Sequence, residues 1–144
     1  MALNKKENLK IALLSTKKNP LLKRNIREIL KKNKIEFIAF DRKHDPKAKM
    51  LWKQRTKDRV SEIKYNKKIK SYFFSNHNNS KLVNLVKKKK IDLLISCSSP
   101  RIIKNQLLHA PKIGILNCHP GLLPYYRGCN CVEWALYNKD KVGN

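Results

Sequence analysis

Residues 9–40 read LKIALLSTKKNPLLKRNIREILKKNKIEFIAF, and this stretch decides the fold class. Leu9 to Thr16 form a short, nearly continuous apolar run, the composition of a strand buried on both faces. Asn19 then offers an N-cap oxygen and Pro20 suits a first helical turn, after which Leu22, Ile26, Ile29 and Leu30 recur at helical spacing to about Asn33. Ile35 to Phe40 are a second apolar run, ending at Asp41. Strand, helix and strand within ~30 residues make a βαβ unit with parallel strands and a right-handed crossover.

The rest of the chain continues the alternation. Met50, Leu51, Val60 and Ile63 place a loose helical stripe within 43–70. Ser71 to Ser75, with Tyr72, Phe73 and Phe74, reads as a short strand. The Asn/Ser cluster through Ser80 supplies a turn and an N-cap for a helix carrying Leu82, Val83, Leu85 and Val86. Lys87 to Lys90 close that helix, where cations complement its C-terminal partial charge. Ile91 to Ser96 is another buried-type strand, followed by a loop from Cys97 to Pro100. A helix bearing Ile102, Ile103, Leu107 and Leu108 is expected next, stopped by Pro111. Ile113 to Asn117 is a further strand, and the prolines and glycine of 119–124 forbid regular structure after it. Cys129 to Asn138 is predicted as a final helix on Val132, Trp134, Ala135 and Leu136. The expectation is one α/β domain over 1–144, a parallel sheet with helices on both faces.

Composition narrows the classes. At 144 residues and 41% hydrophobic, the chain carries enough apolar surface to exclude global disorder, and Gly 4 and Pro 6 exclude a collagen-like or linker-like polymer. No apolar run approaches the ~18 to 20 residues that span a bilayer, so no membrane partner is expected. Lys+Arg 34 against Asp+Glu 10 gives a net charge of +24, which suits a polyanion. The excess is nevertheless mostly scattered Lys, and Arg, which makes bidentate phosphate contacts, is sparse. A non-enzymatic basic RNA-binding domain is the rival reading that the Lys-rich helices support. Cysteines at 97, 118, 129 and 131 suggest no disulfide framework, and the polar Lys-rich start lacks a signal-peptide core, so a cytoplasmic location is expected.

In an open parallel sheet, ligands bind outside the carboxyl ends of the strands. Two loops stand out there: Cys97-Ser98-Ser99-Pro100-Arg101, and the segment that opens with Asn117 and His119. Side chains two apart on an extended strand project to the same side. A carboxamide N–H can donate to an oxygen that gains charge during attack on a carbonyl, and an imidazole can move a proton or stabilise that oxygen. The pair suits acyl transfer, but taken alone the signal is weak, since Asn and His at a strand end more often satisfy backbone groups in a turn. Cys118, His119, Cys129 and Cys131 fit no common zinc-site spacing, and buried Cys serving as small hydrophobes is the plainer reading.

The segment NCHPGLLPYYRG, with Asn117, His119, Pro120, Leu122, Leu123, Pro124, Arg127 and Gly128, closely resembles the signature of the folate-dependent formyltransferases. That family includes glycinamide ribonucleotide, methionyl-tRNA and aminosugar formyltransferases, and formyltetrahydrofolate hydrolase and dehydrogenase. Upstream, IDLLISCSSPRII places Arg101, Ile102 and Ile103 where the family has a stretch lining the folate pocket. The resemblance is specific over 91–138 and compatible with the family's Rossmann-like fold before that.

It implies transfer of a formyl group from 10-formyltetrahydrofolate to a primary amine. Asn117 is expected to polarise the formyl oxygen, and His119 to stabilise the tetrahedral intermediate and assist proton movement. Ser96, Arg101, Ile102, Ile103, Leu108 and Ile115 are expected around the pterin, although for Ile115 and Leu108 core packing is an equal expectation. The family's third catalytic residue is an Asp well downstream of the His, beyond Asn144, and Asp140 stands too early for it. The fold is therefore expected to be incomplete at its C-terminal end, with an uncovered sheet edge and little turnover from 1–144 alone. Ser15 to Pro20 contain no glycine, against a Gly-rich phosphate loop, while Arg127-Gly128 looks like the tRNA and aminosugar branches. A small amine such as an amino-sugar nucleotide is the expected acceptor, with tRNA, glycinamide ribonucleotide or water, as in hydrolysis, as alternatives.

Overall fold

The computed structural model describes residues 9–17, 19, 21–42, 68–97, 99–128 and 130–143. The helix expected within 43–70 lies outside the described residues except for 68–70, which form the turn into a strand. The elements in chain order are β1 (Lys10–Thr16), α1 (Leu22–Leu30), β2 (Lys34–Asp41), β3 (Ser71–Phe74), α2 (Ser80–Lys88), β4 (Leu93–Ser96), α3 (Asn105–Leu108), β5 (Gly114–Asn117) and α4 (Cys131–Tyr137).

The strands form one sheet in the order β3-β2-β1-β4-β5, and every pairing is parallel. This is the Rossmann-like α/β arrangement that the alternation predicts. β1 lies at the centre, and Ile11 to Ser15 are buried without interruption. Its two faces serve two cores. Ile11 and Leu13 pack with Leu22 and Ile26 of α1 and with Ile38 and Phe40 of β2. Ala12 and Leu14 pack on the opposite side with Phe37 and Ala39, beneath Leu82, Val83 and Val86 of α2 and Leu107 of α3. Each such aliphatic side chain contributes about 1.5–3 kcal/mol when fully buried. Register slips by one residue between Ile11 and Ala12, which pair with Ile35 and Phe37, so Glu36 is the extra residue in β2. The bulge lets Ile35 share one face with Ile38 while Phe37 enters the other core.

Three local readings are refined. α1 starts at Leu22, and Asn19 acts one turn earlier, its Oδ1 accepting from Leu21 N at 2.9 Å. Asn79 caps α2 as the Asn/Ser cluster predicts, accepting from Lys81 N at 2.9 Å. α3 is a single turn, shorter than its apolar spacing suggests, and Ile102 and Ile103 precede it. The reason is a tertiary competitor: Asn78 Nδ2 donates to Ile102 O at 3.0 Å and Asn78 Oδ1 accepts from Lys104 N at 2.7 Å. Those backbone groups are satisfied across the fold instead of along a helix.

β5 closes one side of the sheet and pairs only with β4 among the described residues, while Ile113 and Leu116 beside that edge are exposed. No helix among the described residues is long and apolar enough to cross a membrane.

Loops diverge where the chain order reverses, between β1 and β4, and Asn19 ties the two sides together there. Buried, it donates through Nδ2 to Ser15 Oγ at 3.0 Å and to Cys97 O at 2.9 Å. Removing a buried donor that satisfies another strand's carbonyl costs about 1–3 kcal/mol. Asn19→Ala is therefore expected to lower the unfolding free energy by that amount, seen as a lower urea midpoint with an unchanged m-value by far-UV circular dichroism.

Candidate active site

β4 and β5 end level, since Ser96 pairs in register with Asn117, and Ser96 also pairs with Leu14 of β1. The sheet thus brings Ser96 and Asn117 to one carboxyl edge. Ser96 is buried and Asn117 exposed. The Asn117 carboxamide makes no side-chain hydrogen bond among the described residues, so its N–H groups are available to a ligand.

His119 lies two residues beyond, half-buried, with Nε2 at 2.8 Å from Tyr126 O. A carbonyl can only accept, so Nε2 carries the proton, and in the neutral ring Nδ1 is the basic nitrogen. Cys131 Sγ lies 3.3 Å from the same Nε2 and also contacts Tyr126 O at 3.5 Å and Gly128 O at 3.4 Å. The loop is pinned at its far side by the Tyr126 hydroxyl, which donates to Asp140 Oδ2 and accepts from Asn138 Nδ2 at 3.2 Å. The bond to Asp140 holds the Tyr126 phenol above its ordinary pKa, because ionisation would break it and bring two anions together. Tyr126 and Asp140 thus support the imidazole without being sequence-predicted members of the site. Gly128, at φ +86°, sits where a side chain would be strained as the loop turns toward α4.

The expected pocket residues divide into groups. Ile103 and Ile115 pack against the core under α2 and α3, whereas Leu108 is 43% exposed and Ile102 89% exposed. Arg101 leans away from β5, across the carboxyl end of the sheet. Its Nε donates to Asp41 Oδ2 at 2.7 Å, at the end of β2, and its Nη2 donates to Ser75 O at 3.3 Å, just after β3. The same Asp41 oxygen accepts from His77 N at 3.0 Å. The His77 ring is fully buried, with Nε2 at 3.1 Å from Ala39 O and Nδ1 at 2.9 Å from Ser99 Oγ. Burial pushes its pKa down, and the nearby Asp41 carboxylate only partly opposes this. Sequence reading missed Asp41 and His77: one looks like a strand end and the other like one more polar residue in a turn. Among the described residues no group of three or more His, Cys, Asp or Glu could hold a metal ion, and Cys129 lies outside them.

Two measurements test this geometry. A Cβ on Gly121 would stand 2.7 Å from Cys131 Cβ and 2.8 Å from Tyr126 O, so the backbone that receives the His119 hydrogen bond must move. Gly121→Ala is expected to destabilise the chain by about 1–3 kcal/mol in urea denaturation. For His77 the folded pKa lies below the unfolded value of about 6.5, so the folded state binds fewer protons. Its stability contribution is complete above that value and declines as pH falls below it. The urea midpoint is expected to drop between about pH 7 and pH 5, and to drop less in His77→Gln.

Comparison with known proteins follows the same lines. The family model described as Formyl transferase matches residues 9–143. The bifunctional polymyxin resistance protein ArnA of Wigglesworthia glossinidia brevipalpis is 38% identical over 75 residues, covering 52% of this chain and 12% of that protein. Methionyl-tRNA formyltransferase of Borrelia turicatae is 38% identical over 65 residues, 45% of this chain and 21% of that enzyme. This chain thus spans a small part of those relatives' length. Among solved structures, glycinamide ribonucleotide transformylase 1 from Symbiobacterium toebii superposes with a TM-score of 0.64 at 18% identity, covering 99% of this chain and 67% of the other. Phosphoribosylglycinamide formyltransferase from Streptococcus pneumoniae gives 0.59 at 23% identity, with 90% and 67% covered, and at such identities the likeness is one of fold. With the family match running almost end to end over the sheet and both carboxyl-edge loops, the chain belongs to the formyl transferase family.

Proposed function

We propose that the chain forms the donor-side half of a site that transfers a formyl group from 10-formyltetrahydrofolate to the primary amine of a small molecule. The observation that carries this reading is the exposed Asn117 carboxamide at the end of β5, with a His119 imidazole two residues on whose tautomer is set by Tyr126 O. The residues fit such a donor chemically: a carboxamide for a formyl oxygen, a ring nitrogen for a proton, and an exposed apolar side chain at Ile102 for an aromatic ring. The donor supplies an activated one-carbon carbonyl. Asn117 donates to its oxygen as negative charge grows there, a contribution worth about 10²–10³ in rate for one such donor. His119 takes up or delivers a proton through Nδ1 while Nε2 stays bonded to Tyr126 O.

The acceptor is inferred from the other end of the switch point. Asn19 N donates to Thr16 O at 3.1 Å, Leu21 N to Asn19 Oδ1 at 2.9 Å and Leu22 N to Asn19 O at 3.3 Å. The described amides of the turn after β1 are therefore used internally, and among the described residues they form no open cradle for a phosphate, unlike a Gly-rich loop. This favours an amino-sugar nucleotide or another small amine over glycinamide ribonucleotide. The relatives named methionyl-tRNA formyltransferase and the charge of +24 keep a tRNA-borne amine as the second reading.

The test is calorimetric titration of the purified chain with 5-formyltetrahydrofolate, a stable reduced folate. Saturable binding is expected, weakened about tenfold in Asn117→Ala, as for loss of one hydrogen bond to a ligand. Absence of binding at millimolar folate, together with salt-dependent RNA affinity, sinks the reading in favour of a basic RNA-binding domain.

A further inference from the structure

Among the described residues, Asp41 and His77 form a buried polar cluster that Asn117 and His119 do not use. Asp41 and His77 side chains are both fully buried, and they gather at the carboxyl edge where β2, β3 and β4 end. Burying a carboxylate and an imidazole costs free energy unless their hydrogen bonds are satisfied, and these bonds tie the segment after β4 to the end of β2 and the loop after β3. Asp41 Oδ2 holds Arg101 Nε at 2.7 Å and His77 N at 3.0 Å. Because Ala39 O can only accept, His77 Nε2 bears the proton, and Nδ1 accepts from the Ser99 hydroxyl at 2.9 Å. Arg101 Nη2 adds Ser75 O at 3.3 Å. Next to this, Asn78 grips Ile102 O and Lys104 N at 3.0 and 2.7 Å.

The segment after β4 is therefore docked on the loop after β3, although β1 and β2 lie between those strands. It crosses the carboxyl ends of the central strands at the point where chain order reverses. Between the Arg101 and Lys104 tethers stands Ile102, with 89% of its surface in water. The Asn78 bonds to Ile102 O and Lys104 N bracket Ile103, which packs inward, and Ile102 is left turned to water. A buried polar network that fixes an apolar side chain in solvent is an arrangement for presenting that side chain.

We propose that Asp41, His77, Asn78 and Ser99 are positioning residues that latch 99–104 over the switch point and hold Ile102 out as an apolar wall for the donor's ring. The wall rests on the proposed donor; the latch does not. Ser99→Ala removes one hydroxyl from the network with little change in volume, and Asn78→Ala removes the second tether without touching the buried pair. Ser99→Thr keeps the hydroxyl. In the full chain, amide hydrogen exchange of 99–104 is expected to speed up about tenfold in both alanine variants and to stay near native in Ser99→Thr, while exchange in β1 is unchanged. Affinity for 5-formyltetrahydrofolate is expected to fall about tenfold in the alanine variants and to return in Ser99→Thr. Unchanged exchange at 99–104 overturns the latch. Faster exchange with undiminished folate affinity overturns its role toward the donor. If the native chain binds no reduced folate, the donor reading and the wall fall together, and the exchange data alone decide whether the latch stands.

Discussion

Everything at the candidate site depends on β1 being buried on both faces and flanked on both edges. A strand with neighbours on each side and helices above and below must send its chain out at the ends, and in a parallel sheet all carboxyl ends lie together. β2 and β3 build outward from one edge of β1 and β4 and β5 from the other, so the loops after β1 and β4 part company there. Asn19 spans that gap with one buried side chain. Ser96, Asn117 and the segment 99–104 all take their places from that arrangement.

Two polar systems sit on this edge, and they do different things. On the β5 side, the His119 loop is open: the Asn117 carboxamide has no side-chain hydrogen bond among the described residues, and His119 Nε2 is held by Tyr126 O with Cys131 Sγ beside it. On the β2–β3 side, the polar groups are buried and mutually satisfied, with Asp41 and His77 serving backbone and loop rather than solvent. An open pair suits contact with a reacting ligand, and a closed cluster suits shape. The chemistry proposed here assigns them accordingly.

Much of the fold was legible because burial on both faces leaves a plain mark: the runs at 10–16, 34–41 and 93–96 are apolar wherever a parallel sheet needs them to be. The cap of α2 was legible in the Asn/Ser cluster before Leu82 because capping is local, and the structure assigns it to Asn79. The extent of α3 was not, because Asn78, two elements earlier, takes the backbone groups of Ile102 and Lys104. Arg101 was readable as a residue of the loop at the carboxyl edge, but not its ion pair to Asp41, sixty positions away. His77 gave no signal of its own, being one polar residue among Asn and Ser. An acidic residue ending one inner strand, with a His and an Arg in loops on the same edge, is the pattern that could have drawn attention to it.

The amino-acid order by itself determined the alternation of strand and helix, the parallel sheet and the two carboxyl-edge loops, because hydrophobic period and turn chemistry are properties of neighbouring residues. The motif around Asn117 and His119 likewise resides in contiguous sequence. Only the tertiary structure decided which ring nitrogen of His119 is left to a ligand, that Ile102 is turned to water while Ile103 is packed inward, and that Asp41, His77, Ser99 and Arg101 meet. Those outcomes depend on hydrogen bonds between groups far apart in the chain, whose partners exist only once the sheet has brought the ends of its strands together.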